Sequence, residues 1–424
     1  RNHVVQYDPN TVSEITGVPA DDLLKLARMY GQTSPSCIRI GNGLQHHDNG
    51  GMCIRTIACL PALTGQWLNK GGGAIKGNSG YLAFNTDALQ RPDLLQKKQT
   101  RIINMNLIGE ELLNADPAIK SMFVYGSNPA VVAPEANKVK MGLEREDLFL
   151  VVHDLFLTET AAYADIVLPA ASAFENTDFY TSYWHHYLHL QEPVVEAYGE
   201  SKSNVEVFRL LAEGMGYTEQ AFKDSDEEMI DQALNNPQNP YLDKITFQDL
   251  KKKKYVKANV KPLFPGRLNT PSGKIELYSR VMEKAGYQPL PAFSPLVKES
   301  DLPFLFVPGP NHNFLNSTFS NNEKHIFLEK APKLHMNSKD ARQLRLESGD
   351  MAVVWNARGE CELTVSVGEN VLPGVVVSQG LWSDEPGKKQ LVNSLTPDRI
   401  SDMGGGATFF SGRVGVRKKE RSHS

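Results

Sequence analysis

The sequence predicts an α/β protein: a Rossmann-like, parallel-sheet region followed by an all-β domain at the C-terminal end. Three observations predict it. Short apolar runs alternate with helix signals through the first half, the pattern of strands buried on both faces. After residue 300, short runs bounded by Pro, Gly, Asp and Asn recur at regular spacing, as in a barrel or sandwich. The 424 residues are 41% hydrophobic and 22% charged, an ordinary globular composition with room for roughly two to four domains.

Residues 1–88 read as an α/β segment. Pro19, Asp21 and Asp22 start a helix whose apolar face is Leu23, Leu24, Leu26 and Ala27, and Gly31 is its expected C-cap. Residues 37–40 alternate like a strand and run into Gly41-Asn42-Gly43. The loop His46-His47-Asp48-Asn49-Gly50 leads to a helix over 51–63, and Gly71-Gly72-Gly73 makes a turn. Residues 89–217 read as an α/β dinucleotide-binding domain. Strand 122–125 stops at Gly126-Ser127-Asn128-Pro129, and a helix follows at 134–142. Strand 148–152 ends at His153-Asp154, Thr158-Glu159-Thr160 begins a helical piece, and 164–169 is a third strand.

Residues 218–300 read as a connector or insertion. Its run of four lysines, 251–254, lacks interleaved aromatics and reads as a solvated helix face. Residues 301–424 supply strands 304–307, 351–355, 361–367 and 374–378 with a helix near 339–344; the basic tail 413–424 is expected to fray.

Several function classes are excluded or disfavoured. With 45 basic and 49 acidic residues there is no global field to gather nucleic acid. No apolar run approaches a membrane span. Cys37, Cys53, Cys59 and Cys361 form no C-x-x-C, so neither a zinc ribbon nor an iron–sulfur loop is expected. Gly41-Asn42-Gly43 fails the G-x-G-x-x-G fingerprint at His46, and no P-loop occurs. His185, His186 and His189 sit among Tyr183, Trp184 and Tyr187, which favours packing over metal binding.

What remains are loops suited to a nucleotide at the carboxyl ends of parallel strands. Residues 126–129 let backbone approach a phosphate and offer a hydroxyl and an amide. Asp154, past the next strand, can accept from both N1–H and the amino group of guanine, a pair adenine lacks. The plain alternatives are a common turn for 126–129 and a helix cap for Asp154.

In order, these segments resemble the C-terminal part of the molybdopterin-guanine-dinucleotide oxidoreductases, the dimethyl-sulfoxide reductase family. The matching stretches include Gly41 to Gly50, Leu63-Thr64-Gly65, Val124 to Pro129, His153 to Thr160 and Ala164 to Pro169. They continue with Glu175-Asn176, Thr270 to Glu276, Asn316 to Phe319, Met336 to Ala341, Ser348-Gly349-Asp350 and Asn393 to Thr396.

The resemblance implies a C-terminal six-stranded, double-psi-like barrel that binds the dinucleotide. It also implies two copies of molybdopterin guanine dinucleotide holding molybdenum or tungsten, used for two-electron redox of a small substrate. It assigns Gly126, Ser127, Asn128 and Asp154 to one dinucleotide, supported by Thr158, Glu159 and Asp165. Gly43, Gln45, His46 and Asn49 are expected near the pterin or the substrate funnel. Asn316, Ser317 and Thr318 are expected to bond pterin or phosphate, with Asn337, Asp340, Asn393 and Thr396 as further candidates. For these last the plain alternatives are helix caps at Asn337 and Asp340 and a turn at Asn393.

The family's 4Fe–4S cysteines and the metal's protein ligand lie upstream of the matched region. The chain opens at Arg1 without Met, so it is expected to be the later portion of a longer protein, inactive alone, with no catalytic group or protein ligand to the metal of its own. A small-molecule substrate, an electron-transfer partner protein and a cytoplasmic setting are expected, a periplasmic one staying open. The rivals are a non-catalytic scaffold in an electron-transfer complex and a plain guanine-nucleotide-binding protein, which lacks the expected P-loop.

Overall fold

A computed structural model describes residues 2–95, 100–260, 270–384 and 389–420. The chain divides into two compact units that do not follow chain order. The first comprises Arg1–Leu44, Gly51–Lys76 and Pro262–Ser294; the second comprises Gln45–Gly50, Gly77–Lys261 and Pro295–Ser424. The stretch read as a connector, 218–300, is thus shared between them, and its residues 261–269 lie outside the described ones.

In the first unit, Asp8 caps the helix Pro9–Thr16 by accepting from the amides of Asn10 and Thr11. The next helix, Ala20–Gln32, carries Asp21 and Asp22 in its first turn. It runs through Gly31, the expected C-cap, because Thr33 ends it instead. The Thr33 amide and hydroxyl both bond the Met29 carbonyl. Strand β1 (Cys37–Arg39) pairs in parallel with β2 (Gly73–Ile75). The expected helix forms as Gly50–Leu63, and Arg55 on it donates to the carbonyls of Gln288 (2.7 Å) and Pro289 (2.5 Å).

The second unit contains the predicted parallel sheet: β3 (Ser121–Tyr125), β4 (Phe149–Asp154) and β5 (Ile166–Pro169), in that order. Val124, Leu150 and Val152 pack against Leu112, Val139 and Leu143 of the helices Ile108–Asn114 and Ala136–Leu143. Asp165 sits just before β5, and its carboxylate accepts from Leu150 N at 2.7 Å, which helps set the strand register. The helical piece after Thr158 is only a 3₁₀ turn, Ala161–Tyr163.

An antiparallel sheet follows: β6 (Asp178–Tyr180), β7 (Tyr187–Gln191) and β8 (Tyr255–Lys257). It shares a core with the capped helices Asp226–Leu234 and Phe247–Lys253. The lysine run pairs with acids, Lys251 with Glu227 at 2.8 Å, Lys253 with Asp249 at 3.0 Å and Lys254 with Glu192. It lines a solvated face. The histidine rings pack on tyrosines: His185 on Tyr187, His186 on Tyr81 and His189 on Tyr180.

The C-terminal strands close into a six-stranded barrel. They are β9 (Phe304–Gly309), β10 (Lys333–Asn337), β11 (Met351–Asn356), β12 (Gly359–Gly368), β13 (Val375–Gln379) and β14 (Gly412–Lys418), arranged β10-β12-β11-β14-β9-β13. The first half of the tail expected to fray, 413–418, lies in β14. It pairs with both β11 and β9, and buried Val414 and Val416 complete the core, so closure outweighs its basic composition. Residues 421–424 of that tail lie outside the described ones. Strand β10 was not anticipated from the sequence. The free thiol of Cys361 is fully buried, and burial pushes it well up from its ordinary range.

Charge joins the layers of the second unit. Lys138 contacts Glu110, Glu135 and Asp398 at 2.9–3.0 Å. Glu135 accepts from Arg358 Nε (3.0 Å), and Arg358 contacts Glu299 at 2.6 Å. Glu299 also accepts from Arg399 (2.5 Å) and from the Arg413 amide (2.9 Å), and Arg399 reaches Asp48 at 3.3 Å. The side chains of Glu299 and Asp48 are only 11% and 10% exposed. Burial raises the Glu299 carboxyl, but Arg358, the Arg413 amide and Arg399 outweigh it and hold it below the ordinary carboxylate range.

Two outcomes are expected. A Cβ at Gly415 would lie 2.5–2.7 Å from the Trp355 indole, so Gly415→Ala should cost about 1–3 kcal/mol in urea unfolding. Glu299 binds its proton more weakly folded than unfolded, so its contribution is complete above the ordinary value of 4.5 and is lost as pH falls below it. Glu299→Gln should destabilise by about 2–4 kcal/mol at neutral pH and flatten the acid limb of a stability–pH curve; an unchanged limb would contradict the assignment.

Candidate functional site

β3 and β4 run side by side in parallel, so their carboxyl ends share one edge of the sheet. β3 passes into Gly126, whose φ of +57° is left-handed. A Cβ there would meet nothing within 4 Å, so the turn rather than crowding calls for glycine. Gly126 N donates to His153 O at 3.3 Å. Ser127 is exposed, and its hydroxyl has no hydrogen bond among the described residues.

Asn128 is 7% exposed and ties the two strand-end loops together. Its Oδ1 accepts from Thr160 N (3.2 Å) and Thr160 Oγ1 (2.7 Å), and its Nδ2 donates to Glu159 Oε2 (2.7 Å). Thr160 Oγ1 accepts in turn from Ala130 N at 3.1 Å. Glu159 also accepts from the Ser383 hydroxyl. The Asn128 amide, read from sequence as a ligand contact, is therefore engaged within the protein. Thr158 Oγ1 accepts from Ala161 N (3.2 Å) and caps the 3₁₀ turn.

Asp154 is half-buried at the end of β4. Its Oδ1 accepts from the adjacent Leu155 N at 2.7 Å, and Oδ2 has no hydrogen bond among the described residues. Leu155, Phe156 and Leu157 then form an exposed apolar rim. His153, pointing to the other face, is fully buried, with Nε2 at 3.2 Å from the carbonyls of Pro169 and Lys202.

The loop holding Gln45, His46 and Asn49 is anchored within the second unit. Asp48 N donates to Ser411 Oγ (3.0 Å) and Asp48 O accepts from Asp402 N (2.8 Å). His46 Nδ1 lies 3.1 Å from Ala407 O, and its ring packs edge-on against Phe409 and Phe410. His47 leans on Phe410, and burial holds it below the ordinary imidazole range. Gly43 belongs to the first unit.

In the barrel, Leu315 and Thr318 exchange backbone hydrogen bonds of 3.0 and 2.9 Å around Asn316, whose φ is +53°. The side chains of Asn316, Ser317 and Thr318 make no hydrogen bond among the described residues. The other barrel candidates are buried and bonded. Asn337 caps the helix Ser338–Leu344 through Lys339 N and donates to Val371 O. Asp340 accepts from Gly374 N rather than capping. Asn393 donates to the carbonyls of Val131 (2.8 Å) and Val132 (3.2 Å), more than a turn residue would. Thr396 donates to Asn393 O, and its own carbonyl accepts from Glu135 N. Asn393 and Thr396 thus join the barrel to the segment that follows the 126–128 loop.

Sequence reasoning passed over Thr160, although it closes the run Thr158-Glu159-Thr160. It also missed Glu135, Glu299, Arg358 and Arg399, whose partners lie up to 351 positions away in sequence and leave no local signal. Among the described residues, no cluster of three or more His, Cys, Asp or Glu is placed to hold a metal.

Comparison with known proteins bears on the family and the fold. The Molybdopterin oxidoreductase family matches residues 20–214, and the Molydopterin dinucleotide binding domain matches residues 304–412. The chain is 70% identical to Probable oxidoreductase YoaE of Bacillus subtilis (strain 168), across 99% of this chain and 62% of that protein. It is 28% identical to Dimethyl sulfoxide reductase DmsA of Escherichia coli (strain K12), across 98% of this chain and 58% of that protein. The chain therefore spans about three fifths of the length of the curated relatives it matches. Acetylene hydratase from Pelobacter acetylenicus shares the fold, with a TM-score of 0.79 at 22% identity over 99% of this chain and 66% of that one. Two matched domains in order, one on the parallel sheet and one on the closed barrel, place the chain in the molybdopterin oxidoreductase family, the family of the dimethyl sulfoxide reductases.

Proposed function

We propose that this chain is the cofactor-gripping portion of a molybdopterin-guanine-dinucleotide oxidoreductase acting on a small substrate, such as an S- or N-oxide, nitrate or formate. The observation that carries the reading is the edge shared by β3 and β4, where Asn128 locks two loops together. That edge leaves the Ser127 hydroxyl and one Asp154 oxygen without a hydrogen-bond partner among the described residues. The residues present fit a guanine dinucleotide: open space at Gly126, a hydroxyl beside it and a carboxylate on the neighbouring strand end.

When bound, such a cofactor supplies a molybdenum or tungsten centre that exchanges two electrons with substrate. The chain's own residues bind and orient. The backbone at Gly126 and the Ser127 hydroxyl would meet the diphosphate. Asp154 would accept from guanine N1–H and its amino group, and the apolar rim 155–157 would keep water from that contact. Asn316, Ser317 and Thr318 would bond phosphate or pterin from the barrel. Gln45, His46 and Asn49 would line the pterin or the approach to it, with His46 held by Ala407, Phe409 and Phe410. Two copies of the dinucleotide, a 4Fe–4S cluster contributed from outside this chain and an electron-transfer partner protein complete the proposal. No helix among the described residues is long and apolar enough to cross a membrane.

The test uses the chain produced in cells that make the cofactor, with guanine nucleotide released by acid and quantified per chain. Asp154→Asn replaces an acceptor with a donor facing guanine N1–H and should lower retained guanine about tenfold or more, the size of one charged hydrogen bond. Ser127→Ala should lower it about threefold. Equal retention by Asp154→Asn and the parent, or equal uptake of an adenine dinucleotide, would sink the reading. Full retention with no turnover in the complete protein would assign the scaffold role instead.

A further inference from the structure

The charges that join the second unit form a line of alternating sign: Lys138, Glu135, Arg358, Glu299, Arg399, Asp48. At one end Glu135 precedes the helix Ala136–Leu143, beyond the short helix Pro129–Val132 that follows the 126–128 loop, and at the other end Asp48 lies in the 45–50 loop. Glu135 closes the segment that begins at Gly126, and its amide donates to Thr396 O at 3.1 Å. Asp48 lies between His46 and Asn49 and also accepts from Val297 N at 3.1 Å. Glu299 sits in the middle, in an extended segment with no regular secondary structure before β9. Its Oε2 accepts from both Arg358 (2.6 Å) and Arg399 (2.5 Å), and its Oε1 accepts from Arg358 (3.1 Å) and the Arg413 amide (2.9 Å).

We infer that Glu299 is a positioning residue that sets both cofactor loops at once, one through Arg358 and Glu135 and the other through Arg399 and Asp48. The physical reason is like-charge repulsion. Two guanidinium groups reach one carboxylate oxygen, in a place where both acids are about nine-tenths buried and screening is weak. With the carboxylate, Arg358 is held in a two-point fork on Glu299, and Arg399 is held by one bond to Glu299 and by Nε and Nη2 on Asp48. Without it, two cations face each other and each is free to draw its own loop away. The role in cofactor binding rests on the function proposed above. The ordering of the loops does not, because it can be read with no ligand present.

Hydrogen exchange of the full chain, followed by mass spectrometry, separates the two. Glu299→Gln should speed exchange about tenfold in peptides covering both 45–50 and 126–135, with strands β11 and β12 changed less than about twofold. Arg399→Gln should loosen chiefly 45–50, and Arg358→Gln chiefly 126–135. Glu299→Asp, which keeps the charge, should restore most of the protection in both loops together. Loosening of a single loop by Glu299→Gln, or equal loosening of all barrel strands, would overturn the inference. Should Glu299→Gln fail to fold, the two arginine variants decide: each acting on its own loop supports the hub, and each acting on both loops alike overturns it. If exchange behaves as expected while guanine retention is indifferent to Asp154, the hub stands and the cofactor reading fails.

Discussion

A single buried amide governs the strand-end edge. Asn128 accepts at one end of its side chain and donates at the other, and both partners come from the loop after the neighbouring strand. A buried amide left unpaired is costly, so the two loops are fixed relative to each other once the sheet has formed. Ser127 Oγ and Asp154 Oδ2 carry no such obligation and have no hydrogen bond among the described residues, while Asp154 Oδ1 accepts only from the adjacent Leu155 N. The rigid part of the site and its available part are therefore different residues, a division that preorganised binding sites require.

The barrel domain bonds the segment that follows the 126–128 loop. Asn393 and Thr396 bond the segment 131–135, and Val131, Ala136 and Leu391 share a small apolar core. Apolar contact supplies area without direction. The line of charges from Lys138 to Asp48 supplies direction, because a guanidinium fork accepts only a narrow set of carboxylate poses. Buried ion pairs are weak sources of stability when compared with apolar replacements, and their better-attested use is to specify one arrangement. The alternation of sign here is consistent with that use, since each member is flanked by opposite charge.

Much of the fold was legible in the sequence. The three parallel strands stood out as apolar runs ending in Gly126, Asp154 and Pro169, and the barrel strands as short runs between turn residues. Glycine at 126 and the acid at 154 were legible for a local reason: each sits where a strand ends. Thr33 displaced Gly31 as a helix end because a hydroxyl and an amide together satisfied one carbonyl. Strand β14 hid behind its basic residues, since only closure of the barrel shows that alternate positions face inward.

By itself the sequence determined the three parallel strands and four of the barrel strands, and which residue types wait at the ends of the parallel ones, because periodicity and turn chemistry act over a few neighbouring residues. The tertiary structure alone decided which of those polar groups stay without a partner among the described residues. Asn128, Asn337, Asp340 and Asn393 bear the same kinds of atoms as Ser127, Asp154 and Asn316. What separates them is whether a distant part of the chain, once packed, supplies the hydrogen-bond partner.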